Sequence, residues 1–355
     1  MEITLYRVCS SRVLVLDELE QPLVADSERL PFAKELLDDR EGLAADVVAF
    51  LAQPRVRRKG RGSDVAVRFV TRGSIERPVD EAGILAAADY ARSRIRQGSS
   101  RSDSLSLVCE TSTTQPREYT VQRRAPINAD LAERYNVNLG PLVTYEPATF
   151  AGVAENVMAQ KEYLRISAPD LSLQVGETAI RGRLDGFIAS LGEPHLVLFC
   201  GDEIPEIGNS ESRDSYLNDL LEGCFTPIEA SLLNEAHSSH KVLDALGGYF
   251  ANSKSIFPVP SVIAARPDRP NKVSYVCHDR GGDGKTITCG TAGTVTGALA
   301  TVLDLCQTPL VAQPISSNGS NTSPYEIGSM AVVAEGRGGW VFEGSVKKLL
   351  AGRWH

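Results

Sequence analysis

The apolar positions of this chain fall mostly into short runs with a period near two. Such runs lie at 2–6, 12–16, 64–71, 105–109, 119–123, 163–167, 195–200, 261–265, 272–278 and 339–343. Many of these residues are β-branched, and turn-forming residues bound the runs, so each predicts a strand. Stretches with helical spacing are fewer: 31–51, 83–96, 215–236, a short one at 241–247, and 291–305. Strands that outnumber helices, with few strand–helix–strand units, predict an α+β fold with mostly antiparallel sheets rather than a doubly wound one.

Two of the helical stretches share a context. Each follows a strand and a Gly-containing turn and opens on small residues: Pro78-Val79-Asp80-Glu81-Ala82-Gly83-Ile84 in the first, Ile287-Thr288-Cys289-Gly290-Thr291-Ala292-Gly293 in the second. Their separation is about one domain, as a duplicated chain would place them. The segment 123–130 is a plausible linker, and the Ser/Asn/Pro-rich 313–324 reads as an exposed loop.

Length and composition narrow the class. At 355 residues, 42% hydrophobic and 23% charged, the chain is an ordinary globular one, sized for two domains or one large one. A formal charge of −8 repels nucleic acid and anionic membrane, so a small-molecule partner is expected. The seven cysteines (Cys9, Cys109, Cys200, Cys224, Cys277, Cys289, Cys306) are scattered with no Cys-x-x-Cys pair, and the first residues have no leader pattern. That combination reads as a reduced, cytoplasmic protein. No apolar stretch is long enough for a membrane span. The triplets at Asn318 and Asn321 are then a polar loop rather than glycosylation sites.

Candidate chemistry centres on Cys289. A helix N-terminus presents unsatisfied N–H groups and the positive end of the dipole, so it can hold a carboxylate and shift a nearby thiol toward thiolate. A buried small hydrophobe in a tight turn is the competing reading of the same residue. Gly281 to Thr286 ends in Gly-Lys-Thr, but a phosphate loop would need Gly at position 279, which is Asp279. His195, in Gly192-Glu193-Pro194-His195, has no second ligand at metal spacing, and His237 with His240 are too few, so no metal is expected. The basic run Arg55, Arg57, Arg58, Lys59 and Arg61 lacks interleaved aromatics and reads as a solvated loop.

Taken in order, these segments resemble the diaminopimelate epimerase-like superfamily, which includes the proline racemase and phenazine-biosynthesis isomerase groups. Gly192-Glu193-Pro194-His195 with the apolar strand after it resembles that family's Gly-Asn-Pro-His. The stretch from Asp279-Arg280-Gly281 to Cys289-Gly290-Thr291 resembles its Glu-Arg-Gly … Ala-Cys-Gly-Thr-Gly. Val137-Asn138-Leu139-Gly140 and Trp340-Val341-Phe342-Glu343-Gly344 resemble the opening of its second half and its closing strand. The resemblance implies two pseudo-symmetric halves, each a curled, mostly antiparallel sheet around a central helix, with the active site in the cleft between them. It divides the chain into 1–130, completed by 339–355, and 131–338. It also implies an isomerase that works without pyridoxal phosphate or any other cofactor, and it is compatible with a homodimer.

Carried over residue by residue, the resemblance makes Cys289 one acid/base and puts Asp80 where the other cysteine would be, with Glu81 as the alternative. Glu81, Gly83, Ser11, Glu193, His195, Arg280, Gly290 and Thr291 fall on substrate-binding positions. Ser11 and Glu193 stand where the family has Asn, and Val262-Ile263-Ala264 where it has an Asn-rich strand. A pocket for diaminopimelate would lose those hydrogen bonds at a cost of several kcal/mol, on the order of what buried unpaired polar groups cost. The expectation is therefore a racemase or epimerase of another small amino acid. Next comes a double-bond or tautomer isomerase using one carboxylate, and third an inactive binding protein.

Overall fold

The computed structural model describes residues 1–9, 11–38, 40–55, 63–73, 75–95, 103–111, 115–124, 133–143, 164–175, 178–199, 247–248, 261–278, 290–314, 331–336 and 338–353. The chain divides into two compact units, one gathering Met1–Leu139 and Val341–His355, the other Gly140–Asn321 and Val332–Trp340.

The first unit is a closed barrel. Its strands are β1 (Glu2–Val8), β2 (Ser11–Glu18), β3 (Val47–Ala52), β4 (Val65–Thr71), β6 (Ser104–Cys109), β7 (Arg117–Arg124), β8 (Glu133–Asn138) and β16 (Gly339–Arg353), with the two-residue β5 (Glu76–Arg77) hanging off β4. Closure is made by β16, which pairs antiparallel with β8 through 341–346 and with β1 through 346–353. No edge is left in that circuit, which removes the hazard of unpaired strand edges. Helix α2 (Glu81–Ile95) packs against β1, β2, β3, β4, β6, β7 and β8, so it fills the barrel. Its sequence fits that place: Ile84, Leu85, Ala86, Ala87, Ala88 and Ala91 are all fully buried, and a helix apolar around most of its girth is one surrounded by protein. Four alanines let the strands approach closely.

Outside the barrel lies α1 (Arg29–Leu37). Ala33, Leu36 and Leu37 join Leu14 and Leu16 of β2, Val48 and Phe50 of β3 and Val70 of β4 in one apolar cluster. β2 and β3 are thus covered on both faces, α2 inside and α1 outside, which is why their sequences are continuous apolar runs rather than alternating ones. This corrects the expected helix at 31–51: the helix ends at Leu37 and the apolar run from Val47 is β3. Gly42 and Ala44, whose φ of 50° is left-handed, break the helix between them, and β-branched Val47-Val48 suits a strand.

The second unit repeats the order of pairings. In the first, β1–β2 is antiparallel, β2–β3 parallel, β3–β4 antiparallel and β4–β6 parallel across α2. In the second, β10 (Thr178–Ser190) and β11 (Pro194–Phe199) are antiparallel, and β11 runs parallel to β12 (Ser261–Arg269). β12 is antiparallel to β13 (Lys272–His278), and β13 runs parallel to β14 (Leu310–Pro314) across α3 (Gly290–Val302). β9 (Leu164–Val175) extends the sheet beyond β10, and β15 (Ala331–Gly336) lies beyond β14. α3 packs on β10 to β14 and, with Ala292, Val295, Ala298 and Leu299 fully buried, is as enclosed as α2. The expected helices at 215–236 and, but for 247, at 241–247 lie outside the described residues. Three of the four parallel pairs cross over a described helix: β2–β3 over α1, β4–β6 over α2 and β13–β14 over α3.

Candidate functional site

In the first unit the chemistry gathers at the N-terminal end of α2. The registers place it: Val13 at the start of β2 pairs with Val47, and Val47 with Thr71 at the end of β4, from which the chain turns through β5 into α2. Ser11, 5% exposed, opens β2 at that same end. Asp80 is the N-cap. Its Oδ1 accepts the Gly83 N–H at 2.6 Å, which satisfies one of the orphan donors of the first turn, and its carbonyl accepts the Ile84 N–H at 2.8 Å, the first bond of the helix ladder. Glu81, the first helical residue, is fully buried, and Asp80 nearly so. Gly83 is required by contact, because a Cβ there would run into the Phe69 ring.

Three residues that sequence reasoning did not place at this site meet the same helix end. Cys109 closes β6 and pairs across the ladder with Arg117, the first residue of β7, while Tyr119 sits two residues further along β7. Burial pushes the Cys109 thiol well above its ordinary value, and the charges of Asp80 and Glu81 push it the same way. The Tyr119 phenol is raised by burial first, with Cys109 and Glu81 adding to it and Arg117 opposing. Both groups are therefore neutral proton donors at ordinary pH. The signal was in the alternation Leu105-x-Leu107-x-Cys109 and Tyr119-x-Val121, which puts Cys109 and Tyr119 on the buried face of adjacent strands. Cys9, in the turn before β2, is another buried thiol, held in a left-handed conformation at φ 52° and pushed up to about 11 by burial.

In the second unit the corresponding end holds Glu193 and His195. Glu193 lies in the turn before β11, 1% exposed, and His195 is fully buried. The His195 Nδ1 is 2.9 Å from the Glu193 carbonyl oxygen. A carbonyl only accepts, so Nδ1 is the donor in that bond. Nε2 has no hydrogen-bond partner among the described residues. Thr291, in the first turn of α3, is also fully buried. His195 pairs with Ser261, and Val262 with His278 at the end of β13, so Glu193 and His195 stand at the end of the sheet from which the chain leads toward α3. Val262, Ile263 and Ala264 are buried in β12 and line it with carbon only.

Gly290 is the first residue of α3; Cys289, which immediately precedes it, and Arg280 lie outside the described residues. Asp80, Glu81 and Gly83 thus share the first turn of α2, with Ser11 at the same strand end, and Glu193 and His195 lie at the sheet end from which the chain leads toward Thr291. Among the described residues no three His, Cys, Asp or Glu side chains are grouped as metal ligands, and no helix is long and apolar enough to cross a membrane. Of the basic run, Arg55 is an ion-pair partner of Asp26 at 2.6 Å; Arg57, Arg58, Lys59 and Arg61 are outside the described residues.

No family model matches the sequence, and no curated protein matches it. Solved structures do match the fold. A hydroxyproline epimerase from Agrobacterium vitis with bound trans-4-hydroxy-L-proline superposes with a TM-score of 0.58 at 10% identity, covering 99% of this chain and 91% of that one. A probable proline racemase from Agrobacterium radiobacter K84 with bound carbonate gives 0.56 at 10% identity, covering 100% and 92%. A phenazine biosynthesis protein of the PhzF family from Bacillus anthracis gives 0.50 at 13%, covering 99% and 97%. At these identities the likeness is one of fold. The likeness runs over the whole chain and is that of the diaminopimelate epimerase-like fold.

Proposed function

We propose that this protein is a cofactor-independent racemase or epimerase that moves the α-proton of a small amino acid other than diaminopimelate, with Asp80 and Cys289 as the opposed acid and base. The observation that carries this reading is positional. In the repeated order of pairings, α2 and α3 occupy the same place, and the residue immediately before each is a proton-transfer group: Asp80 before Glu81, Cys289 before Gly290. The two units are then halves of a duplicated chain, each supplying one base. An α-proton beside a carboxylate is very weakly acidic, so the charge that develops when it leaves must be held by donors already aimed at it. The main-chain N–H groups of the first turns of α2 and α3 are such donors, and the helix dipole reinforces them.

A carboxylate facing a thiol makes the two directions chemically unequal. Deuterium exchange tests the reading: incubation in D2O with a pool of amino acids and small acids, read by mass spectrometry. Wild-type protein should wash deuterium into the α-position of its substrate, and Asp80→Asn and Cys289→Ala should each abolish it. Retained exchange in Cys289→Ala would overturn the two-base reading. One observation favours a second reading. Asp80 already spends an oxygen on capping α2, whereas Glu81 is the fully buried carboxylate of the first turn. A double-bond isomerase that shuttles a proton on Glu81 would lose turnover in Glu81→Gln and tolerate Cys289→Ala.

A further inference from the structure

We propose that His195 reads the α-substituent of the substrate: its Nε2 accepts a hydrogen bond from an amino or hydroxyl group on the α-carbon of a small acid whose carboxylate lies at the N-terminus of α3. The proposal rests on the proton-transfer reading for its reaction. It deepens that reading by naming a substrate class, 2-amino and 2-hydroxy acids, as against acids unsubstituted at that carbon.

The argument begins with the face of the sheet that α3 covers. A Cβ on Gly293 would come within 2.9 Å of the Tyr275 hydroxyl, so the Tyr275 side chain meets the first turn of α3. Tyr275 pairs with Ala265, and Ala265 with Phe199. Cross-strand partners share a face, and so do residues four apart on one strand, which puts His195 on the α3 side with Phe199. The start of β11 is also the sheet end from which the chain leads to α3. On rises of about 3.3 Å per strand residue and 1.5 Å per helix residue, His195 lies roughly 9 Å past Gly290 along the helix axis, ahead of α3 rather than beside it. The first N–H groups of a helix, which have no partner within it, point into that space.

What sets His195 apart is a buried polar atom left over. The ring is fully buried, Nδ1 donates to the Glu193 carbonyl at 2.9 Å, and Nε2 has no hydrogen-bond partner among the described residues. A buried polar atom left unpaired costs about 1–3 kcal/mol, which a ligand that supplies the missing bond returns. Thr296 also buries a hydroxyl without a partner, but it lies inside α3, away from either end. His195 joins that condition to a place ahead of a helix N-terminus. With Nδ1 donating, the uncharged ring offers Nε2 as an acceptor, and an acceptor calls for a ligand that brings a donor. The N–H groups and dipole of α3 call for an anion. A carboxylate with an N–H or O–H group on the adjacent carbon meets both demands in one small molecule. An acid without that group meets only the second.

Calorimetric titration of the full chain tests this with two sets of acids of matched shape: alanine, lactate and propionate, and valine, 2-hydroxyisovalerate and isovalerate. In at least one set, wild type should bind the amino or hydroxy acid about 10-fold more tightly than the unsubstituted acid, which is what one hydrogen bond is worth. Two variants then divide the ring. In His195→Asn the amide reaches the Nδ1 position and keeps the bond to the Glu193 carbonyl; in His195→Gln it reaches the Nε2 position and keeps an acceptor there. His195→Asn should bring the preference to within about 2-fold, and His195→Gln should keep most of it. A merely structural histidine would give the opposite order, with Asn tolerated and Gln disruptive. Urea unfolding of both variants separates lost recognition from lost folding, and the wild-type preference is read without either. No preference in either set by wild type, or a preference undiminished in His195→Asn, would overturn the proposal. A preference with no deuterium exchange on any compound would support the site while counting against the racemase reading. Exchange that is indifferent to His195→Asn would do the reverse.

Discussion

The two halves of α2 make opposite use of the same barrel. Toward its C-terminus the polar groups are tied to one another: Tyr135 donates to Asp89 at 2.7 Å and Tyr6 hydrogen-bonds the same carboxylate. Tyr90 and Arg94 both hold Asp17 at 2.9 Å, and the Arg92 guanidinium lies 5.7 Å from the centroid of the Tyr135 ring. Arg92 and Arg94 also suit the negative end of the helix dipole. Toward the N-terminus stand Asp80, Glu81, Cys109, Tyr119 and Arg117, which feel one another's charge. The first half of that contrast is a network that holds the barrel on its helix. The second gathers titratable groups at one buried helix end, where burial and mutual charge shift them, as at functional sites.

The largest expected effect breaks the wired half. Asp89→Ala leaves two buried tyrosine hydroxyls without their acceptor and should cost about 3 kcal/mol of unfolding free energy in urea, with Asp89→Asn recovering part of it. Next, Gly83→Ala should cost about 1–3 kcal/mol by overpacking the first turn of α2 against Phe69, read as a lowered Tm. Asp80 then separates stability from chemistry. Asp80→Ala removes the cap and should cost about 1 kcal/mol, while Asp80→Asn keeps the cap to within about 0.5 kcal/mol and still abolishes exchange. If both variants were equally stable, the cap would not be what Asp80 contributes to the fold.

The smallest effect is a pH slope. Cys109 has its folded pKa raised above the ordinary 9.0 by burial and by Asp80 and Glu81. A group raised in this way contributes stability that is fully present below the unfolded value and is lost as pH rises toward the folded one. Wild type should therefore lose stability above pH 9, and Cys109→Ala should flatten that decline, as measured by urea unfolding between pH 8 and pH 10.5 or so. In the native protein below pH 9 Cys109 should resist alkylation, and a Cys289 activated at a helix N-terminus should not.

Much of this was legible in the residues. β1, β2, β4, β6 and β13 follow from alternation, and α2 and α3 from their small-residue openings, because those signals are local. β3 was not, since an apolar strand covered on both faces carries no period, and only its β-branched start distinguishes it from helix. β8, β14 and β15 were passed over because they are short and mixed in polarity, and pairing with distant strands defines them. At the candidate site, Asp80 and Glu81 were named through the resemblance of their turn. Arg117, Cys109 and Tyr119 were not, because only the closure of the barrel brings β6 and β7 to the start of α2.

That closure has a consequence for how the protein is made. β1 pairs with β16, Glu2 against Arg353, and the whole of the second unit is threaded between them in sequence. β1 must wait for β16 before the barrel can seal, and the loop to be closed takes in most of the sequence between them. Until then α2 has a partial wall and β1 an unpaired side, a state prone to pairing with other nascent chains. The second unit, by contrast, draws β9 to β14 from one stretch of sequence. It is the part expected to reach native structure during synthesis, so that birth order and folding order run opposite ways in this molecule.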